Sequence, residues 1–258
     1  MHLILTGATG LVGTAVLDAM VRAKDVTKIS VISRRPLKLT DDRINVILHK
    51  DFETYDKELL QKLEGAQGCV WALGISQTQV NKEDYVKITK TYALAAAEAF
   101  KDLTHTTKTK EPFHFVYVSG DGSTFKPGLF TPIFGRVKGE TELALAEMQR
   151  QNPTTLKAST VRPSFVDWTG HEEIKPYLPE IGAAKNTFAT LLSPVAKYAI
   201  KGRWSPTGPL GRFLTGMATN MWEGALDGEG VERLPGGFTV VDNPAMWRVL
   251  DQEAAGKK

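Results

Sequence analysis

With 258 residues, 42% of them hydrophobic, the chain has the apolar mass for the core of one large α/β domain, and no second independent domain is expected. A net charge of +3, with both signs interspersed, leaves no basic run to track a nucleic-acid backbone, so nucleic acid is excluded as a partner. The single cysteine, Cys69, excludes an intramolecular disulfide, and the five histidines show no metal-ligating spacing, which excludes a metal site.

An apolar strand over residues 2–6 runs straight into Thr6-Gly7-Ala8-Thr9-Gly10-Leu11-Val12-Gly13, with three glycines at three-residue intervals. In a strand–turn–helix unit the first such glycine permits the tight turn, the second lets backbone approach a phosphate, and the third lets the helix pack close to the sheet. The helix that follows, roughly 11–23, repeats Val12, Val16 and Met20 at helical spacing and would aim its positive end and free N–H groups at a dinucleotide pyrophosphate. A strand over 28–32 completes a βαβ unit. Ser33-Arg34-Arg35 then stands where an NAD-binding chain usually carries an Asp or Glu for the ribose hydroxyls. Two guanidiniums suit a 2′-phosphate instead, so the expected cofactor is NADP(H). The glycine loop lies too near the first residue for a signal peptide, and no apolar run reaches the ~18 residues of a membrane span. A cytoplasmic protein with no membrane partner is therefore expected.

Further strands are expected at 44–48, 68–73, 113–118 and 155–161, alternating with helices near 54–64, 82–101 and 132–150. Such alternation predicts an α/β fold with a doubly wound parallel sheet of the Rossmann type, covered on both faces. After the third strand, Asp51-Phe52 reads either as a pair flanking the adenine or as an ordinary helix-opening turn. Cys69, inside Gly68-Cys69-Val70-Trp71-Ala72-Leu73, is expected to be a buried, inert thiol. The stretch from Thr104 to Lys110 reads as a polar loop, and Thr131-Pro132 as the N-cap and first-turn proline of the next helix. Beyond Arg162-Pro163 the pattern changes, with Pro176, Pro179, Pro194, Pro206 and Pro209 interrupting it. Residues 1–164 would form the cofactor-binding core, and 165–258 a small irregular C-terminal cap facing the substrate or a tail that completes the core. Near the end, 237–241 would add a strand, and Asp242-Asn243 would cap a terminal helix.

Taken in order, the glycine loop, Ser119, Lys138 and Arg162-Pro163-Ser164 resemble the atypical short-chain dehydrogenase/reductase superfamily over most of the chain. Lys50-Asp51-Phe52-Glu53, Asp84-Tyr85-Val86, Val137-Lys138-Gly139-Glu140 and Asp242-Asn243-Pro244-Ala245 are similar to the Tat-interacting-protein-type reductases and their fungal or bacterial relatives. The resemblance implies NADP(H)-dependent reduction of a small carbonyl or conjugated organic substrate. It also implies backbone around Ala72-Leu73-Gly74 beside the ribose, Lys138 holding the nicotinamide ribose, and Arg162-Pro163-Ser164 facing the carboxamide side. Either Ser119 or Ser123 would polarise the substrate oxygen. Family members are often dimers. No clearly exposed apolar stripe marks an interface in this sequence, so a homodimer stays open.

The family's proton donor is a tyrosine four residues before the lysine, on the same helix face. Here that position is Phe134, and a phenyl ring carries no exchangeable proton. Three substitutes stay open. Lys138 would itself be the general acid, as in the isoflavone-reductase-like branch of the superfamily; or Asp167, His171 or Tyr177 from the cap would donate. In the third, redox chemistry is lost, leaving an NADP(H)-binding regulatory or interaction protein, or a non-redox isomerase or cyclase. Hydrolysis is excluded, because Gly122-Ser123-Thr124 lacks the second glycine of a nucleophile elbow.

Overall fold

The computed structural model describes residues 1–106, 111–178 and 201–256. Its central strand, β1 (His2–Thr6), is buried along its whole length between β2 (Lys28–Ser33) and the strand of Gly68–Trp71, here β4. β3 (Ile44–Leu48) lies outside β2; β5 (Phe113–Val118), β6 (Leu156–Arg162), β10 (Thr239–Asp242) and β9 (Val231–Arg233) continue on the other side, giving the order β3-β2-β1-β4-β5-β6-β10-β9. Every pairing is parallel except β9 on β10. The chain reverses its direction of winding between β1 and β4, and the crevice beyond their C-terminal ends is where an open α/β sheet binds ligands.

Alternation along the strands divides the core into two layers. Leu3 and Leu5 face a layer with Val16 and Met20 of α1 (Leu11–Arg22), and Ile4 faces the opposite layer with Trp71, Phe115 and the alanines of α4 (Tyr92–Phe100). Cys69 is buried in that second layer, where burial pushes its thiol up. α2 (Lys57–Leu63) and α5 (Ile133–Gln151) cover the same face. The single helix expected near 82–101 is made of α3 (Lys82–Val86), a π-turn over Lys87–Thr91, and α4. The buried Tyr117 hydroxyl donates to the Thr89 carbonyl within that π-turn, at 3.3 Å. Pro132, not Thr131, is the N-cap of α5, because the Thr131 hydroxyl is engaged by the Gly128 N–H.

Among the described residues, the C-terminal part carries regular elements where an irregular cap was expected. A two-stranded parallel sheet pairs β7 (Phe165–Asp167) with β8 (Trp204–Pro206), and α6 (Thr207–Ala218) buries Leu210, Phe213, Leu214 and Met217 in the first core layer beside α1. Two of the supposed helix breakers are compatible with α6. Pro206 is its N-cap and Pro209 lies in its first turn, where a missing N–H leaves no bond unmade. Gly211 lets α6 touch α1, since a Cβ there would lie 2.3 Å from the Ala15 carbonyl oxygen. β9 and β10 extend the main sheet, and Asp242 caps α7 (Asn243–Gly256) by accepting from the Ala245 N–H at 3.0 Å. Asn243 does not cap; it donates to the carbonyls of Gly202 and Trp204 and so ties the strand pair to the core. Pro179, Pro194 and residues 107–110 of the expected polar loop lie outside the described residues. No helix among the described residues is long and apolar enough to cross a membrane.

Candidate functional site

A cleft of 790 Å³ opens at the C-terminal ends of β1, β4 and β5, bordered by Gly10, Leu11 and Val12 at the start of α1. Gly10, Ala72, Leu73 and Gly74 also border an adjoining 200 Å³ pocket that reaches Ser33, Arg34, Arg35 and Phe52. Backbone shape explains the glycine spacing. Gly7 has a φ of +72°, and a Cβ on it would lie 2.4 Å from the Ala72 carbonyl oxygen. A Cβ on Gly13 would lie 2.0 Å from the Gly7 carbonyl oxygen, so the turn and the helix close on each other only without side chains. Gly10 at the N-cap supplies no capping side chain, which leaves the first N–H groups of α1 free beside the cleft. Gly7 and Thr9 line the smaller pocket, whereas Ala8 and Gly13 are buried behind the loop.

In the smaller pocket Arg34 and Arg35 are exposed and make no side-chain hydrogen bond or ion pair among the described residues, and the Ser33 hydroxyl accepts from the Arg35 N–H at 3.2 Å. Phe52 borders the pocket with its ring edge-on to Trp71. Asp51 does not: its carboxylate turns back to accept from the Glu53 N–H and the Thr54 hydroxyl, which hold its pKa below the usual carboxylate value. Of the expected adenine pair only the ring faces the pocket, and Asp51 serves the turn.

At the other end, the cleft is walled by Ser119, Phe134 and Lys138 on one side and by Pro163, Ser164, Phe165 and Val166 on the other. Lys138 donates to the carbonyl oxygens of Val118 at 3.2 Å and Ser119 at 2.8 Å, and its Nζ stands 5.8 Å from the Tyr117 ring centroid. Removal from water lowers its pKa to about 8, against the opposing pull of the Glu142 carboxylate. Phe134 occupies the first turn of α5, with its N–H held by the Gln77 side chain at 3.0 Å.

The serine register is settled by geometry, with an unexpected polarity. Ser119 lines the cleft and Ser123 sits behind it, 2.9 Å from the Ser119 hydroxyl. Ser123 spends its proton on the Gly120 carbonyl at 2.7 Å, so Ser119 donates to Ser123 and turns lone pairs to the cleft. In that arrangement Ser119 presents a hydrogen-bond acceptor to the cleft.

Arg162 departs from its expected place. Its guanidinium binds Glu142, which is fully buried, and lies over the Phe125 ring at 4.8 Å; only Pro163 and Ser164 of the triplet reach the cleft. A buried carboxylate demands a charge partner, and Arg162 supplies it. None of the three cap acids lines the cleft. Asp167 is buried and accepts from the Trp204 indole and Thr169. His171 bridges Thr207 and Asp18 on the side of α1, and Tyr177 is half-buried elsewhere. Arg203 lines the cleft without having been singled out in the sequence, as do Ser76, Gln79 and Asp121, whose carboxylate accepts from the Ser164 hydroxyl at 2.9 Å. Their loops carry no motif that would have marked them.

No family model matches the chain. The Botcinic acid biosynthesis cluster B protein 16 of Botryotinia fuckeliana is 42% identical over 158 residues, 61% of this chain and 98% of the relative. The leucinostatins biosynthesis cluster protein T of Purpureocillium lilacinum is 32% identical over 217 residues, 77% of each chain. Among solved structures, a short-chain dehydrogenase/reductase family oxidoreductase from Burkholderia thailandensis superposes with a TM-score of 0.64 at 14% identity, covering 98% of this chain and 96% of that one. The chain belongs to one family with these fungal biosynthesis-cluster proteins, and its fold is the Rossmann fold of the short-chain dehydrogenase/reductases.

Proposed function

We propose that the chain is an NADP(H)-dependent reductase of a small carbonyl or conjugated organic substrate, in which Lys138 is the proton donor. One observation carries the reading: Phe134 stands where a tyrosine would donate, beside a Lys138 ammonium that is desolvated, held on two carbonyls and brought to a pKa of about 8. Two of its three N–H groups face the main chain, and the third is left for the cleft.

The residues present fit a dinucleotide. Gly7, Gly10 and the free N–H groups of α1 would hold the pyrophosphate, Arg34 and Arg35 the 2′-phosphate, and Phe52 the adenine. Ala72, Leu73 and Gly74 would border the ribose, with Pro163 and Ser164 beside the carboxamide. Reduced nicotinamide, when bound, supplies a hydride. Lys138 releases its Nζ proton to the substrate atom that gains negative charge, and Phe134 and Phe165 keep water from that atom. Similarity to biosynthesis-cluster proteins supports a small organic intermediate as substrate.

The test is a calorimetric titration with NADPH and NADH on the parent and on Arg34→Ala. NADPH binding that weakens about tenfold or more in the variant, with NADH unaffected, is expected. Equal binding of both nucleotides would overturn the NADP preference, and binding of neither would overturn the reductase. Consumption of NADPH with an enone and ketone panel should vanish in Lys138→Ala and persist in Phe134→Tyr. Tight NADPH binding with no turnover by the parent or by Phe134→Tyr favours a regulatory protein.

A further inference from the structure

Eight of the eleven arginines pair with a carboxylate or donate to a main-chain carbonyl. The three whose side chains do neither among the described residues all border the cleft or its adjoining pocket. Arg34 and Arg35 lie in the small pocket; Arg203, on the stretch that leads into β8, lines only the larger cleft. A guanidinium presents five N–H donors in a planar fork matched to a carboxylate, and an unpaired one at a binding site is a recognition group waiting for an anion. A carboxylate that shares the cleft does not claim it. Asp121 lines the same cleft, and its hydrogen bond is to Ser164. The cleft that Arg203 lines also has apolar wall, contributed by Phe134, Phe165 and Val166, and Lys138 borders the same space.

We infer that Arg203 anchors a substrate carboxylate, so that the substrates are apolar organic acids bearing the reducible carbonyl or conjugated double bond. This rests on the reductase reading and narrows it. Arg203 holds the acid end, Phe134 and Phe165 take the apolar body, and the reducible group is left facing Lys138.

The test titrates the protein with octanoate, cinnamate and 4-phenylbutanoate, each against its methyl ester, with and without saturating NADP⁺. At least one acid should bind about tenfold or more tightly than its ester, the range for a charge-assisted hydrogen bond. Arg203→Ala should erase that preference by weakening the acid alone, leave the ester and NADP⁺ affinities unchanged, and be partly rescued in Arg203→Lys. Acids that bind no better than esters would overturn the inference. So would an Arg203→Ala variant that loses NADP⁺ affinity, which would give Arg203 to the cofactor phosphates. A parent that fails to bind NADP⁺ strikes the reductase reading alone, because the nucleotide-free titrations still compare acid with ester.

Discussion

At the N-terminal ends of the parallel strands, Lys157 is held by Glu223 and Asn220, Arg43 by Asp41, and His2 and His114 are buried with pKa values lowered to about 4. At the C-terminal ends, the side chains of Arg34, Arg35 and Arg203 make no hydrogen bond or ion pair among the described residues, and Lys138 rests on two carbonyls. The first end spends its polar groups on the fold. The second keeps them for something that is not protein, which is how a binding site differs from a stabilising network.

Arg162 tests that contrast, because it lies at the cleft end and is nonetheless paired. Glu142→Ala should remove about 3–5 kcal/mol of unfolding free energy, since it strands a guanidinium that is mostly buried. Urea unfolding measures it. The double variant Glu142→Leu, Arg162→Met should recover most of the loss, whereas a Glu142→Ala protein within about 1 kcal/mol of the parent would mean that the pair does nothing for the fold.

Acid should act on the opposite end. His2 is desolvated and lies near Lys28, and His114 is desolvated and lies near Lys157, so both fold uncharged. The unfolded chain binds these protons near pH 6.5 and the folded chain only near 4. The stability is therefore complete above 6.5 and falls as pH drops from about 6.5 to 4, by at most about 3 kcal/mol per histidine. Urea midpoints across that window should fall, and His114→Gln should flatten the slope. A flat profile in the parent would show that these histidines are exposed to water.

Turnover should respond to pH at the cleft end with the opposite sense. A reduction needs Lys138 protonated, so kcat/KM should hold below about 8 and drop about tenfold per pH unit above it. An unchanged rate to pH 10 would remove Lys138 from the role of acid.

Much of this contrast was legible in the sequence, and its limits are instructive. Six strands and the glycine loop could be read because parallel strands buried on both faces are plain apolar runs, and because the loop's spacing is fixed by backbone contact. Arg34 and Arg35 follow β2 so closely that their place was given by the strand. α6 was hidden because Pro206 and Pro209 read as interruptions, although they occupy its N-cap and first turn, and nothing local announces that Gly211 is there for contact with α1. Arg203 was lost in the same stretch. Arg162 was misplaced because nothing local announces that Glu142, on another element, is buried beneath it. Ser119 needed coordinates, since proton direction depends on where Ser123 finds an acceptor.

The smallest predicted effect decides most. Arg34→Ala, Arg35→Ala and Arg203→Ala break no hydrogen bond or ion pair among the described residues, so each should stay within about 0.5 kcal/mol of the parent by urea unfolding. Exposed pairs at the other end set the scale, because Lys157→Ala should cost up to about 1 kcal/mol through Glu223 and Asn220. The triple cleft variant should match the parent or exceed it slightly, since the chain is already net positive and loses like charges from one surface. Arginines that prove neutral for folding but necessary for ligand binding are held for ligand. If any one of the three costs more than about 1 kcal/mol of stability, that arginine is structural, and the division between the two ends of the sheet does not hold there.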